Sequence, residues 1–255
     1  VVVIAVGLPL LAPLLVALVW IGSGELAAMF AHRGIKLNLG FLRYGGIVML
    51  VASMPQLAAR YPDIPWREVA LGLALMGAFI YELVAGANIP RLVHSLFGFL
   101  YLPWTLGYVL LLRYAPNENL GVWTLTLPLI ATFATDIGAF FVGKRWGRIK
   151  IAPKISPGKT LEGTLGGILA SFLSLLVFTA LVRRAFPFGW VELLLVSLLI
   201  SVAAQLGDLT ESMLKRYCGV KDSGTILPGH GGILDRLDSL IFSVPLTYYL
   251  MVLFT

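Results

Sequence analysis

Runs of about 20 apolar residues recur along this chain, and no other feature limits its fold so strongly. An α-helix rises about 1.5 Å per residue, so about 20 residues cross the roughly 30 Å of hydrocarbon in a bilayer. Stretches such as Trp66–Ala85 and Leu120–Val142 have that length and are mostly apolar. Their apolar character is continuous, not alternating, which argues against a transmembrane β-barrel. Composition agrees: 58% of residues are hydrophobic and 13% charged, where a soluble domain carries about 25% charged. The mean hydropathy is +0.90. The expected fold is all-α, a polytopic helical integral membrane protein with about nine transmembrane or membrane-embedded helices.

The expected segments are Val1–Val19, Ser23–His32, Tyr44–Leu57, Trp66–Ala85, Arg91–Leu112, Leu120–Val142, Leu161–Val182, Val191–Leu214 and Leu234–Phe254. The second is short and carries Glu25, so it reads as half-buried or interfacial. Val1–Trp20 is long for a signal segment and is expected to be retained; the opening on Val1 rather than Met leads us to expect residues upstream. With the N-terminus inside, about 14 of the 19 Lys and Arg fall on one side and 5 on the other, which makes the richer side cytoplasmic. That side holds two polar loops, Lys144–Thr160 and Lys215–Asp235. The net charge of +6 is then topogenic and calls for no nucleic acid. Cys218 is the single cysteine, which excludes an intramolecular disulfide and a cysteine-rich metal site. We expect one membrane domain over 1–255, with N-terminal helices in 1–115 and catalytic helices in 116–255.

Carboxylates inside apolar runs need a reason, because an Asp at a helix centre costs about 2.5 to 3.5 kcal/mol on insertion. Asp136 follows a long apolar approach, Asp208 sits late in its segment, and Asp235 and Asp238 open the last one. Asp235 and Asp238 are three apart and are expected on one helical face. Asp208, Ser212 and Lys215 share another. Folding the loop between them back gives an acidic cluster ringed by cations, whose mutual repulsion a divalent metal would relieve. Oxygen donors favour Mg²⁺. We therefore expect Asp208 and Asp235 to hold it, with Asp238 or Asp136 completing the shell; a second metal or a monovalent cation is left open. Glu82, alone near a span end, reads as structural.

Lys215, Arg216 and Lys221 precede a Gly-rich stretch, His230-Gly231-Gly232, that enters a helix. Glycines at a helix start let backbone N–H groups approach an anion. Gly158-Lys159-Thr160 imitates the end of a P-loop, but Pro153 stands where that motif needs Gly. Lys159 is instead expected to contribute positive charge to a phosphate site.

The full order Ser212-x-x-Lys215-Arg216, Lys221-Asp222, Pro228-x-His230-Gly231-Gly232, Asp235-Arg236-x-Asp238 resembles the signature of the phosphatidate cytidylyltransferases, or CDP-diacylglycerol synthases. Thr135-Asp136 through Lys144, followed by Ile155 through Gly163, looks like that family's second cytoplasmic region. The resemblance implies metal-dependent cytidylyl transfer from CTP to phosphatidate, with release of pyrophosphate, in a multi-pass protein of the inner membrane whose site faces the cytoplasm. It implies catalytic roles for Asp208, Lys215, Arg216, Lys221, Asp222, His230 and Arg236, and substrate contacts for Ser212, Gly231, Gly232 and Lys159. Membrane lipids are the expected surroundings and a homodimer is left open. Two rivals share the features: a CTP-dependent lipid kinase and a cation-coupled transporter using Asp136 and Asp208. The triphosphate-like loop argues against the transporter.

Overall fold

The computed structural model describes residues 4, 6–114, 118–182, 186, 188–226 and 231–254. His230, Pro228-Gly229, Arg183 and Arg184 lie outside the described residues. The described residues form nine helices: α1 Leu8–Ala31, α2 Phe41–Ala52, α3 Pro55–Arg60, α4 Trp66–Ala85, α5 Ile89–Tyr114, α6 Glu118–Trp146, α7 Leu161–Leu181, α8 Trp190–Cys218 and α9 Leu234–Phe254. Seven of these are long and apolar enough to cross a membrane; α2 and α3 are not among them. This is a polytopic all-α membrane protein.

Two expected boundaries are corrected. Ser23–His32 is not a separate segment but the second half of α1. Gly22, inside that helix, serves close packing. A Cβ there would meet the Leu102 side chain at 2.9 Å and Leu234 at 3.3 Å. Glycine in a membrane helix brings neighbours close more often than it ends the helix. Tyr44–Leu57 is split at Ser53-Met54, because Pro55 starts a new helix and disfavours helical backbone before it.

The chain forms two compact units, one of residues 1–111 with 217–236 and the other of 112–216 with 237–255. The segment 217–236 thus groups with the N-terminal helices. In the first unit Gly46 lets Val19 and Pro103 approach, and Gly98 seats Leu26 and Leu42. Arg67 is buried there, between the rings of Trp104 and Tyr108 at 4.4 and 4.1 Å, and donates to Ser53 Oγ at 2.8 Å. Glu82 pairs with Arg91 at 2.6 Å and accepts from Asn88 N, fixing the turn between α4 and α5.

The second unit is organised by a seam of small residues between α6 and α7. A Cβ on Gly138 would meet Ala170 Cβ at 2.5 Å and the Gly166 carbonyl at 2.7 Å; one on Gly167 would meet the Thr135 carbonyl at 2.8 Å. Lipid supplies no hydrophobic drive for helices to associate, so such close backbone approach carries the packing. Buried hydroxyls extend it: Thr135 donates to Ser201 at 2.9 Å and Thr132 to Ser243 at 3.1 Å. Gly138→Leu is expected to destabilise the protein by about 1–3 kcal/mol through overpacking against backbone. Chemical denaturation in detergent, followed by Trp fluorescence, measures this; an unchanged midpoint would mean that the seam does not hold the helices.

Candidate active site

The second unit gathers charge at one end of this seam. Beyond α6 the chain doubles back: Leu161 N donates to Ile149 O at 2.9 Å, and Lys150 and Thr160 form an isolated antiparallel bridge. Thr160 caps α7 by accepting from Gly163 N at 3.1 Å. Glu162, in the first turn of α7, accepts from Arg148 N and Ile149 N at 3.0 and 3.2 Å. The turn is pinned to α8 where Arg216 Nε donates to Ile155 O at 3.3 Å. This folding delivers Lys159 onto α8, where its ammonium lies 2.6 Å from Asp208 Oδ2 and 3.3 Å from the Gln205 carbonyl.

Asp208 accepts from Ser212 Oγ at 3.4 Å, as expected from their shared helical face. One residue before it, Gly207 lets α9 come close: a Cβ there would meet the Asp238 carbonyl at 2.3 Å. Asp136, Asp208 and Asp238 stand within electrostatic reach of one another, with Lys159 facing Asp136 and Lys215 facing Asp238. Asp136, Ser156, Lys159, Thr160, Gln205 and Asp208 line a cavity of ≈ 340 Å³, a size suited to a small ligand. The described residues lining a larger cavity of ≈ 440 Å³, among them Phe186, Phe188 and Trp190, are uncharged. Among the described residues no three His, Cys, Asp or Glu close into a coordination cluster, and the cation against Asp208 is Lys159.

The described parts of the signature loop within 217–236, residues 217–226 and 231–236, belong to the first unit. Asp235 Oδ2 accepts from Ser223 N at 2.9 Å, Ser223 Oγ at 2.8 Å and Gly232 N at 2.8 Å. Glu25, 6% exposed, accepts from Ile233 N at 2.8 Å and Leu234 N at 2.9 Å. The anion at this helix start is thus the protein's own. Gly231, at φ 79°, turns the backbone into it. Lys221, Asp222 and Arg236 are exposed. The expectation that Asp235 and Asp238 share one helical face is corrected. The helix stops after Leu237 and restarts at Leu240, with Ser239 N donating to Asp238 Oδ1 at 2.6 Å.

The sequence model of the cytidylyltransferase family matches residues 1–254. The chain belongs to that family. It is 46% identical over 138 residues to the phosphatidate cytidylyltransferase of Bacillus subtilis, covering 54% of this chain and 51% of the relative. With the enzyme of that name from Haemophilus influenzae it shares 42% over 211 residues, 81% of this chain and 64% of the relative. An uncharacterized protein of Escherichia coli, YnbB, is 42% identical over 154 residues, covering 60% of this chain and 51% of its own. The chain spans about half the length of most of the curated relatives it matches.

Two buried carboxylates and one backbone carbonyl went unassigned in the sequence. Glu25 was noticed only as a flaw in an apolar run. Gln205, whose carbonyl steadies Lys159, carried no signal. Glu211, buried on α8, pairs with Lys215 at 3.3 Å, and its i, i+4 spacing was the available clue.

Proposed function

We propose that this chain transfers the cytidylyl group of CTP to phosphatidate, giving CDP-diacylglycerol and pyrophosphate, at the cytoplasmic face of the inner membrane. The observation that carries this reading is the Lys159–Asp208 pair, 2.6 Å apart, with Asp136 and Asp238 beside it in a cytidylyltransferase-family chain.

A phosphate oxygen of phosphatidate attacks the α-phosphorus of CTP, and the bond to the β-phosphate oxygen breaks as pyrophosphate leaves. The attacking phosphate is already largely dianionic at neutral pH, since its second pKa is about 6. No strong base is needed. The obstacle is bringing two polyanions together, so positioning and positive charge matter most. Asp136, Asp208 and Asp238 would hold Mg²⁺, which when bound neutralises charge on the α-phosphate and the leaving group. Lys159, Lys215 and Arg216 balance the remaining charge, and Lys221 and Arg236 bind phosphate oxygens. Ser212 holds Asp208 by its hydroxyl. Asp222 and His230 are assigned to the triphosphate path, and Gly231 and Asp235 to shaping it. The lipid need not leave the bilayer: Asp136 lies on α6 among Phe133, Ile137 and Phe140, all exposed along that helix.

Lys221→Ala is expected to raise the KM for CTP about tenfold through one lost charge-assisted contact. Lys36→Ala, another exposed loop lysine, should leave it unchanged. Initial rates against CTP concentration compare the two; equal effects would reduce Lys221 to general surface charge.

A further inference from the structure

Glu25 comes from α1, yet it serves residues about two hundred positions away. Its two oxygens accept from Ile233 N and Leu234 N, and Ser223 Oγ lies 3.4 Å from Oε2. Ser223 donates its one proton to the nearer Asp235 Oδ2 at 2.8 Å, which sets the hydroxyl between the two carboxylates. Two glycines leave room for Glu25. A Cβ on Gly224 would have Glu25 atoms as its three nearest neighbours, the first at 2.6 Å; one on Gly232 would meet both Glu25 oxygens at 2.6 Å.

Asp235 takes Gly232 N, just before the helix, while the donors at the helix start itself, Ile233 N and Leu234 N, go to Glu25. A helix start can be capped locally, so capping alone gives no reason to bury a carboxylate from a remote helix. What the remote one adds is position. It ties both described arms of the loop, Ser223–Gly224 and Gly232–Asp235, to α1. We propose that Glu25 is a positioning residue for cytidylyl transfer, setting the backbone that carries Lys221, Asp222, Asp235 and Arg236 without touching substrate. This rests on the function proposed above.

The test uses the full chain in detergent, with kcat and KM for CTP and phosphatidate, thermal stability and amide hydrogen exchange. Glu25→Ala is expected to lower kcat about 30- to 100-fold for two lost charge-assisted bonds, with KM for CTP moving less than about threefold. Glu25→Gln keeps one acceptor of the same shape and should retain about a tenth to a third of kcat. Should the alanine variant not fold, the glutamine variant carries the test. Gly224→Ala should lower kcat about tenfold in the native background, through a shifted loop, and not further when Glu25 is already Ala. Exchange should quicken at 223–226 and 231–236 in Glu25→Ala and stay unchanged in α6 and α7. A lower melting temperature with kcat per folded molecule intact would overturn the proposal, as would additive effects of the two alanines. If the unaltered protein forms no lipid-linked cytidine, the functional reading fails. The exchange pattern then still decides whether Glu25 sets the loop.

Discussion

Asp208→Asn is expected to lower kcat/KM for lipid-linked cytidine by about 1000-fold or more, equivalent to about 4 kcal/mol of lost transition-state stabilisation. Asp208 sits where three elements meet. Lys159 reaches it at 2.6 Å from the turn before α7, Ser212 at 3.4 Å from its own helix, and Asp136 and Asp238 complete its electrostatic surroundings. Asn keeps the shape and can still accept from Lys159, whose ammonium also has the Gln205 carbonyl at 3.3 Å. Folding should therefore survive, with size-exclusion behaviour and thermal midpoint close to those of the native protein. Activity within about threefold of native would remove Asp208 from the reaction.

Gly207→Ala is expected to lower kcat about 100-fold, the scale of loss that a misplacement of about 1 Å produces. The added methyl would stand 2.3 Å from the Asp238 carbonyl and 3.2 Å from Ser239 Cα. Both neighbours are backbone and cannot swing aside as a side chain would. α8 must shift from the break in α9, taking Asp208 away from Asp238. Gly77→Ala on α4 is the matched control, since a Cβ there meets nothing within 4 Å. Steady-state rates for the two variants check this, and equal rates would contradict the claim that Gly207 sets the carboxylate spacing.

The all-α membrane fold was legible because hydrocarbon admits few structures. Every backbone group must be satisfied within its own helix, so apolar length alone locates α4, α6, α7 and α8 to within a few residues. Hydropathy was silent on packing. Nothing in the linear sequence shows Leu102 and Leu234 packed against Gly22. The face shared by Asp208 and Ser212 followed from helical spacing and is present. That of Asp235 and Asp238 assumed an unbroken helix, and the turn at Asp238-Ser239 removes it. Lys159 was singled out as a cation, but its partner was not, since only the folding of the 147–160 turn delivers it to Asp208. Glu25 was the least legible. Its partners are chiefly backbone N–H groups some 208 residues away, and a backbone amide carries no residue-type signal.

The most direct measurement follows both ends of CTP at once. Purified protein is given phosphatidate, Mg²⁺ and CTP labelled separately on the cytidine and on the γ-phosphate, and the lipid and aqueous phases are then counted. Cytidine label in the lipid, matched by γ-label released as pyrophosphate, is the predicted result. γ-Label in the lipid with cytidine left in water would instead be phosphoryl transfer, and would contradict the account.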